Sequence, residues 1–539
     1  MKRDIVIRGA QVIDGLGSPG FEGDVAIDDD RIAAIGSLPN EHGKLEIDAR
    51  GLAVAPGFIN MLSWATESLL VDGRSQSDIR QGVTLEVMGE GSSMGPLTPE
   101  MREAMLDEQG DLQFEVHWTT LGEYLGHLEQ RGVSTNVASF VGATTVRVHE
   151  LERDDRPPTS EELARMRNLV RAAMAEGAMG VGSSLIYAPA FYASTDELVA
   201  LATEAGAAGG MYISHIRSEG GRLGDGVAEL LEIARLADCR AEIYHFKALG
   251  EVGQAQFEDA VDLVLRARAV GQAITANVYP YIAAATGLDA AMPPWVQEGG
   301  LRAWIQRLGD PVIRARVIGE MRDPDGEWEN QILLSGGPGG VLLAGFRNER
   351  LKALTGMTLE AIAASRSTSP EETAIDLVIE DESHVSTIYF NQSEDVLRQV
   401  LSLPFTSIGS DGASVAPEGP FLRSNPHPRT YGTFARVLAR YVRAQKLLAL
   451  EEAVRRMTSL PADNLRLPDR GRLGVGAFAD VVTFDPERVQ DHATFDAPHQ
   501  YATGVRDVLV NGVPTIRAGE HTGALAGRVV RGPGYVPAG

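Results

Sequence analysis

Four polar side chains stand where short apolar runs end: Glu90 in LEVMGEG, His215 in MYISHIRSEG, His245 in AEIYHFK and Asp411 in TSIGSDG. Two imidazoles and one carboxylate make a competent donor set for zinc with an open position, and the second carboxylate is then free to act as a general base. An ion so held lowers the pKa of a bound water and polarises a carbonyl, which together are the requirements of hydrolysis. Each residue alone has a plainer reading. A strand-end histidine is often only hydrogen-bonded structure, Glu90 could cap the next segment, and Asp411 between Ser410 and Gly412 could form a turn. Their joint occurrence at strand ends favours a site.

The elements that would position them follow a β-then-α rhythm. Candidate strands are AVAPGFI, VTLEVMG, TNVASFVG, MGVGSSLIY, GGMYISHI, RAEIYHFK, AITANVYPY and FTSIGSDG, eight in all. Helical stretches separate them, as in TSEELARMRNLVRAAMAEG and STDELVALATEAG, where Ser or Thr followed by acids marks a capped start. Eight parallel strands with helices outside predict a TIM-like (β/α)8 barrel over 56–468, and in that architecture the chemistry sits at the C-terminal strand ends. Glu90, His215, His245 and Asp411 then close the second, fifth, sixth and eighth strands. Alternating strands at 1–55 and again at 469–539 predict a small β-sandwich built from both termini. The interval 286–350 breaks the rhythm and reads as an inserted, lid-like subdomain.

Bulk composition narrows the function classes. With 539 residues, 44% hydrophobic and 23% charged, the chain is an ordinary globular protein able to bury a large core. Its formal net charge of −25 would repel a phosphate backbone or an anionic bilayer, so no nucleic acid and no membrane is expected as a partner. The single cysteine, Cys239, forms no internal disulfide and no thiolate cluster. The N-terminus lacks the apolar core of a signal peptide, and no run approaches the ~20 apolar residues of a membrane span, so a cytoplasmic location is expected. A homo-oligomer remains open.

The segments SHIRSEG, YHFK, YPY, SIGSDG, HPRTYGTFARVL, MTSLPADNLRLPDRGRLGVGAFADVVTFDP and VNGVP together resemble the N-acyl-D-amino-acid deacylases, or D-aminoacylases, of the amidohydrolase superfamily. PGFI and GSSLIYAPAFYASTDEL agree, so the resemblance covers nearly the whole chain. It implies a barrel, a β-sandwich from both termini and an inserted lid. It implies His215 and His245 as zinc ligands, Asp411 as the catalytic aspartate, and Lys247 as the cation for a substrate carboxylate. Glu90 falls where the family has a cysteine ligand, if one residue is deleted in GEGSS; otherwise Gly91 faces that cysteine. Tyr187 and Tyr192 are family-like candidates for the substrate.

The chain also departs from that pattern. In PGFINMLSW, Leu62 and Trp64 stand where the family has a pair of histidines, and neither coordinates a metal. Ala143 likewise stands where relatives often have histidine. The expectation is therefore one Zn²⁺ per chain, held by Glu90, His215 and His245, with Asp411 as general base. Leu62 and Trp64 would form an apolar wall, Arg217 would face the same cavity as Lys247, and His427 and Arg429 are read as structural ahead of binding or gating. The implied reaction is hydrolysis of an N-acyl-(D-)amino acid or a related small amide. Two alternatives stay open: a hydrolase of another C–N or C–O bond, such as a cyclic amide, a peptide or a lactone, and a metal-free binding protein on the same fold.

Overall fold

The computed structural model describes residues 2–324, 326 and 328–537. Eight parallel strands form its centre: β1 (Phe58–Asn60), β2 (Val83–Met88), β3 (Asn136–Ser139), β4 (Gly180–Ser184), β5 (Met211–His215), β6 (Arg240–Ile243), β7 (Ile274–Val278) and β8 (Thr406–Ile408). Hydrogen bonding runs β1–β2–β3 and, from Val141–Gly142 just beyond β3, through β4, β5, β6 and β7 to β8. The ring closes at the other side. Met61 N–H donates to Ile408 O at 3.4 Å, Asp411 N–H donates to Leu62 O at 2.8 Å, and Ser63 bridges Gly412 in parallel register.

These strands are short and buried on both faces, as parallel strands under helices must be. Val83, Val137, Val181, Tyr212, Ala241, Ile243 and Ile274 point outward into the main core against the helices. Ile59, Met61, Leu62, Leu85, Val87, Phe140, Met211 and Ile213 fill the inside of the barrel. Each fully buried aliphatic side chain contributes roughly 1.5–3 kcal/mol, so the interior is a packed plug with its chemistry confined to the upper rim. Two of the outer helices begin on capping boxes, Thr120 with Glu123 and Thr159 with Glu162.

Strands from the two ends of the chain share one nine-stranded sheet, in which Ala53–Pro56 pairs antiparallel with Val481–Phe484. Its own core joins Ile5, Ile7, Val25 and Ile27 to Leu473, Ala479, Val481 and Leu509. The insertion between β7 and β8 is longer than the interval 286–350. It runs from the strand Ala284–Gly287 to Ser386–Tyr389, with Ser386–Tyr389 central in a three-stranded antiparallel sheet. A separate apolar cluster from Leu288 to Tyr389 holds it together. Its later helices, Leu359–Arg366 and Pro370–Asp381, have the same capped, amphipathic look as barrel helices, which is why the sequence boundary falls short. No helix among the described residues is long and apolar enough to cross a membrane.

Candidate metal centre

Glu90 follows β2 between two glycines with left-handed backbones, Gly89 at φ +103° and Gly91 at φ +69°. A side chain at Gly89 would put Cβ 2.4 Å from Phe140 O, and one at Gly91 would meet Ser184 Cβ at 2.5 Å. Only glycines let the strand end turn this tightly and aim Glu90 across the barrel mouth. His245, after β6, itself has φ +31°, with its N–H held by Asn277 Oδ1 at 2.8 Å. Asp411 sits at φ +50°. Two non-glycine residues in this sparsely populated region, both at the mouth, mark a constrained site.

The three side chains converge. Glu90 Oε1 lies 3.2 Å from His215 Nδ1 and 2.9 Å from His245 Nε2, and the imidazoles stand edge to face with centroids 4.5 Å apart. Among the described residues they form the one group of three His, Cys, Asp or Glu whose ligand atoms lie within 4.8 Å of one another. All three are buried. Two nitrogens and one oxygen directed at a common point suit zinc, so the donor set fits the ion the sequence implies.

Glu219, which sequence reasoning did not single out, holds the far side of both rings. Its Oε2 is 3.3 Å from His215 Nε2 and its Oε1 is 3.1 Å from His245 Nδ1. A carboxylate behind a ligating imidazole fixes ring orientation and tautomer. The signal was present as an acid four residues after His215 in SHIRSEG.

The charges are mutually supporting. Burial pushes Glu90 and Glu219 upward, but the histidine charges, joined at Glu219 by Lys247, outweigh it and hold both carboxyls well below the usual range. Burial pushes His215 down, yet Glu219 and Glu90 carry it up to about 9. Ligands must shed such protons when a metal binds. Asp411 behaves differently. Burial raises its carboxyl and Glu90 adds to this, against the opposing pull of Arg429, whose Nη1 lies 2.8 Å from Asp411 Oδ2. An aspartate raised in this way is suited to accept a proton near neutral pH.

Several expectations need correction. Arg217 does not face the cavity: it pairs with Glu229 at 2.8 Å and donates to Phe191 O and Ala193 O, because the helix Leu223–Leu236 presents an acid to it. Lys247 is buried with Nζ 2.7 Å from Glu219 and 2.6 Å from His245 Nδ1, so its charge already has a partner. Leu62 lies inside the barrel plug, packed with Ile59, Met61 and Leu85. Trp64 is 41% exposed, and its polar edge points inward: Nε1 donates to Glu90 Oε2 at 2.9 Å and to Asp411 Oδ1 at 3.1 Å. Tyr192 donates to Pro294 O of the insertion at 2.7 Å. Tyr187 does reach the site, its ring edge-on to His215 at 5.5 Å. His427 is structural, with Nε2 at Ala283 O and Nδ1 accepting the Arg429 N–H.

A parallel barrel whose mouth gathers a carboxylate, two histidines and a separate aspartate defines a metal-dependent amidohydrolase, and comparison with known proteins agrees. A family model described as the amidohydrolase family matches residues 45–516. The D-aminoacylase of Alcaligenes xylosoxydans xylosoxydans is 33% identical, over 98% of this chain and 97% of its own length. A solved D-aminoacylase, whose study concerns a binuclear metal centre with one-metal activation and second-metal attenuation, superposes with a TM-score of 0.81 at 32% identity, over 98% of this chain and all of the other. The N-acyl-D-glutamate deacylase of Bordetella bronchiseptica, complexed with zinc and a phosphonate mimic of the tetrahedral intermediate, gives 0.81 at 29% identity over the same shares. The chain belongs to the D-aminoacylase family of amidohydrolases.

Proposed function

We propose that the chain hydrolyses the amide bond of N-acyl-D-amino acids with a single zinc ion per chain, held by Glu90, His215 and His245. The observation that carries this reading is the placement of Glu90 Oε1 between His215 Nδ1 and His245 Nε2, with Asp411 beside them at the end of β8. Bound there, zinc supplies Lewis acidity toward a scissile carbonyl and toward water. The chain's own residues do the rest. Asp411 takes a proton from the attacking water as its oxygen bonds to the acyl carbon, and returns one to the amide nitrogen as the C–N bond breaks. The products are a carboxylate and a free D-amino acid.

Arg429 holds Asp411 and lies over the Tyr279 ring at 4.6 Å. Arg217 and Lys247 are taken up by Glu229 and Glu219, whereas Arg429, though beside Asp411, keeps a buried Nε without a hydrogen-bond partner and is the cation best placed to meet the substrate carboxylate. Tyr187 borders the leaving group, and the exposed ring face of Trp64 offers apolar surface to an acyl chain. Tyr192 ties the barrel to Pro294 of the insertion. The D-configuration rests on the relatives' names, as does the small acylated substrate. A cytoplasmic, homo-oligomeric enzyme is compatible with this reading.

Matched N-acyl-D- and N-acyl-L-amino acids, offered to the zinc-loaded protein and to Asp411→Asn, test it. Turnover of the D-series that falls by at least about 10²-fold in Asp411→Asn supports the proposal. Absence of turnover on every N-acyl-D-amino acid, or equal rates for wild type and Asp411→Asn, overturns it.

A further inference from the structure

The indole of Trp64 is placed in a way that the apolar-wall expectation does not explain. Its single N–H is shared between Glu90 Oε2 and Asp411 Oδ1, at 2.9 and 3.1 Å. The other oxygens of these carboxylates have separate partners: Glu90 Oε1 faces the two histidines, and Asp411 Oδ2 faces Arg429. The backbone makes this arrangement rigid. Trp64 N–H donates to Gly412 O at 2.9 Å and Asp411 N–H donates to Leu62 O at 2.8 Å, so residues 64 and 411 are pinned across the β1–β8 seam.

Two carboxylates brought to one point repel each other, and metal centres commonly relieve this with a cation between them. Here a neutral donor does so. An indole N–H donates and cannot coordinate. Leu62, two residues earlier, is apolar and 1% exposed inside the barrel.

We propose that Trp64 is a positioning residue that takes the place of a second metal ion: its N–H ties Glu90 Oε2, so Glu90 binds through one oxygen only, and holds Asp411 for proton transfer, while its ring offers no ligand atom to a second ion, so the site accepts a single one. This inference rests on the zinc reading above and extends it to the number of ions and to the orientation of both carboxylates. A glutamate left free could grip a metal through both oxygens and turn its lone pairs away from the histidines; the indole removes that freedom. Asp411 in turn keeps one oxygen on the indole and one on Arg429, which fixes the plane of its carboxyl.

The test compares the full-length wild type, Trp64→Phe and Trp64→His after dialysis against buffered zinc. Bound zinc per chain is read by elemental analysis, and kcat and KM are read on the preferred N-acyl-amino acid. Trp64→His supplies an imidazole beside two carboxylates and is expected to take up a second zinc, whereas wild type and Trp64→Phe stop at one. Trp64→Phe keeps an aromatic ring, so its packing is retained. It is expected to lower kcat by about tenfold, with KM within about twofold. Two ions in the wild type, or a Trp64→His that stays at one while Trp64→Phe keeps the wild-type kcat, overturns the proposal. Expected zinc counts in a protein that hydrolyses no N-acyl-amino acid would support the role of Trp64 and overturn the substrate reading alone.

Discussion

Glu219→Gln removes a charge that three cations or rings share while keeping the side chain's size. Glu219 is 1% exposed and contacts His215 at 3.3 Å, His245 at 3.1 Å and Lys247 at 2.7 Å. At an effective dielectric of about 20, a full charge pair at the Lys247 separation is worth roughly 6 kcal/mol before desolvation is subtracted. Breaking a buried pair by removing one partner costs about 3–5 kcal/mol, because the ammonium is left buried without compensation. The glutamine also presents only one acceptor oxygen to two ring nitrogens, and loss of a carboxylate behind ligating histidines costs about 10–100-fold in metal affinity. The expected result is therefore a metal-free protein destabilised by about 3 kcal/mol and a zinc affinity weakened at least tenfold. Chelator competition measures the second quantity and urea unfolding of the zinc-free protein the first. Adding Lys247→Met should restore much of the stability, since both partners are then gone, but not the affinity. A Glu219→Gln protein with zinc affinity within twofold of wild type would refute the claim that Glu219 orients the histidines.

Three further outcomes follow from named contacts. Burial raises Glu86 to about 7, and burial together with the Glu86 charge raises Asp78 well above its usual value, with Asn60 Nδ2 bonded to both. A carboxyl with a raised folded-state pKa stabilises below its unfolded value, and that stability is lost as pH rises through the folded value. Wild type should thus lose stability from about pH 4.5 to about 7, and Glu86→Gln should flatten the loss in urea midpoints taken across that window. Gly89→Ala forces Cβ to 2.4 Å from Phe140 O at φ +103°, so metal binding measured by dialysis should be largely lost and the melting temperature should fall by several degrees. Tyr192→Phe removes only the bond to Pro294 O and should cost about 1 kcal/mol, with kcat nearly unchanged in steady-state assays.

The barrel was legible because β/α alternation is a period signal that survives without tertiary information, and Glu90, His215, His245 and Asp411 were legible because each ends an apolar run. The insertion's far boundary was not, since Pro370–Asp381 opens on a capping box, Ser369 with Glu372, as barrel helices do with Thr and Glu, and only antiparallel pairing distinguishes Ser386–Tyr389 from a barrel strand. Partner choice among charges was also hidden. Arg217 and Lys247 each follow a histidine by two residues, yet Glu229, inside a helix, and Glu219, four residues past His215, claim them. Trp64 shows the limit most clearly: its type says apolar, while its direction is set by backbone bonds to Gly412 at the opposite end of the barrel sequence.

Anomalous diffraction at the zinc edge, from crystals of the loaded protein, tests the proposed single zinc at Glu90, His215 and His245. One peak is expected at about 2.0–2.2 Å from Glu90 Oε1, His215 Nδ1 and His245 Nε2, with the Trp64 indole still on Glu90 Oε2. A second peak between Glu90 and Asp411, or a lone peak that Glu90 does not touch, would contradict it.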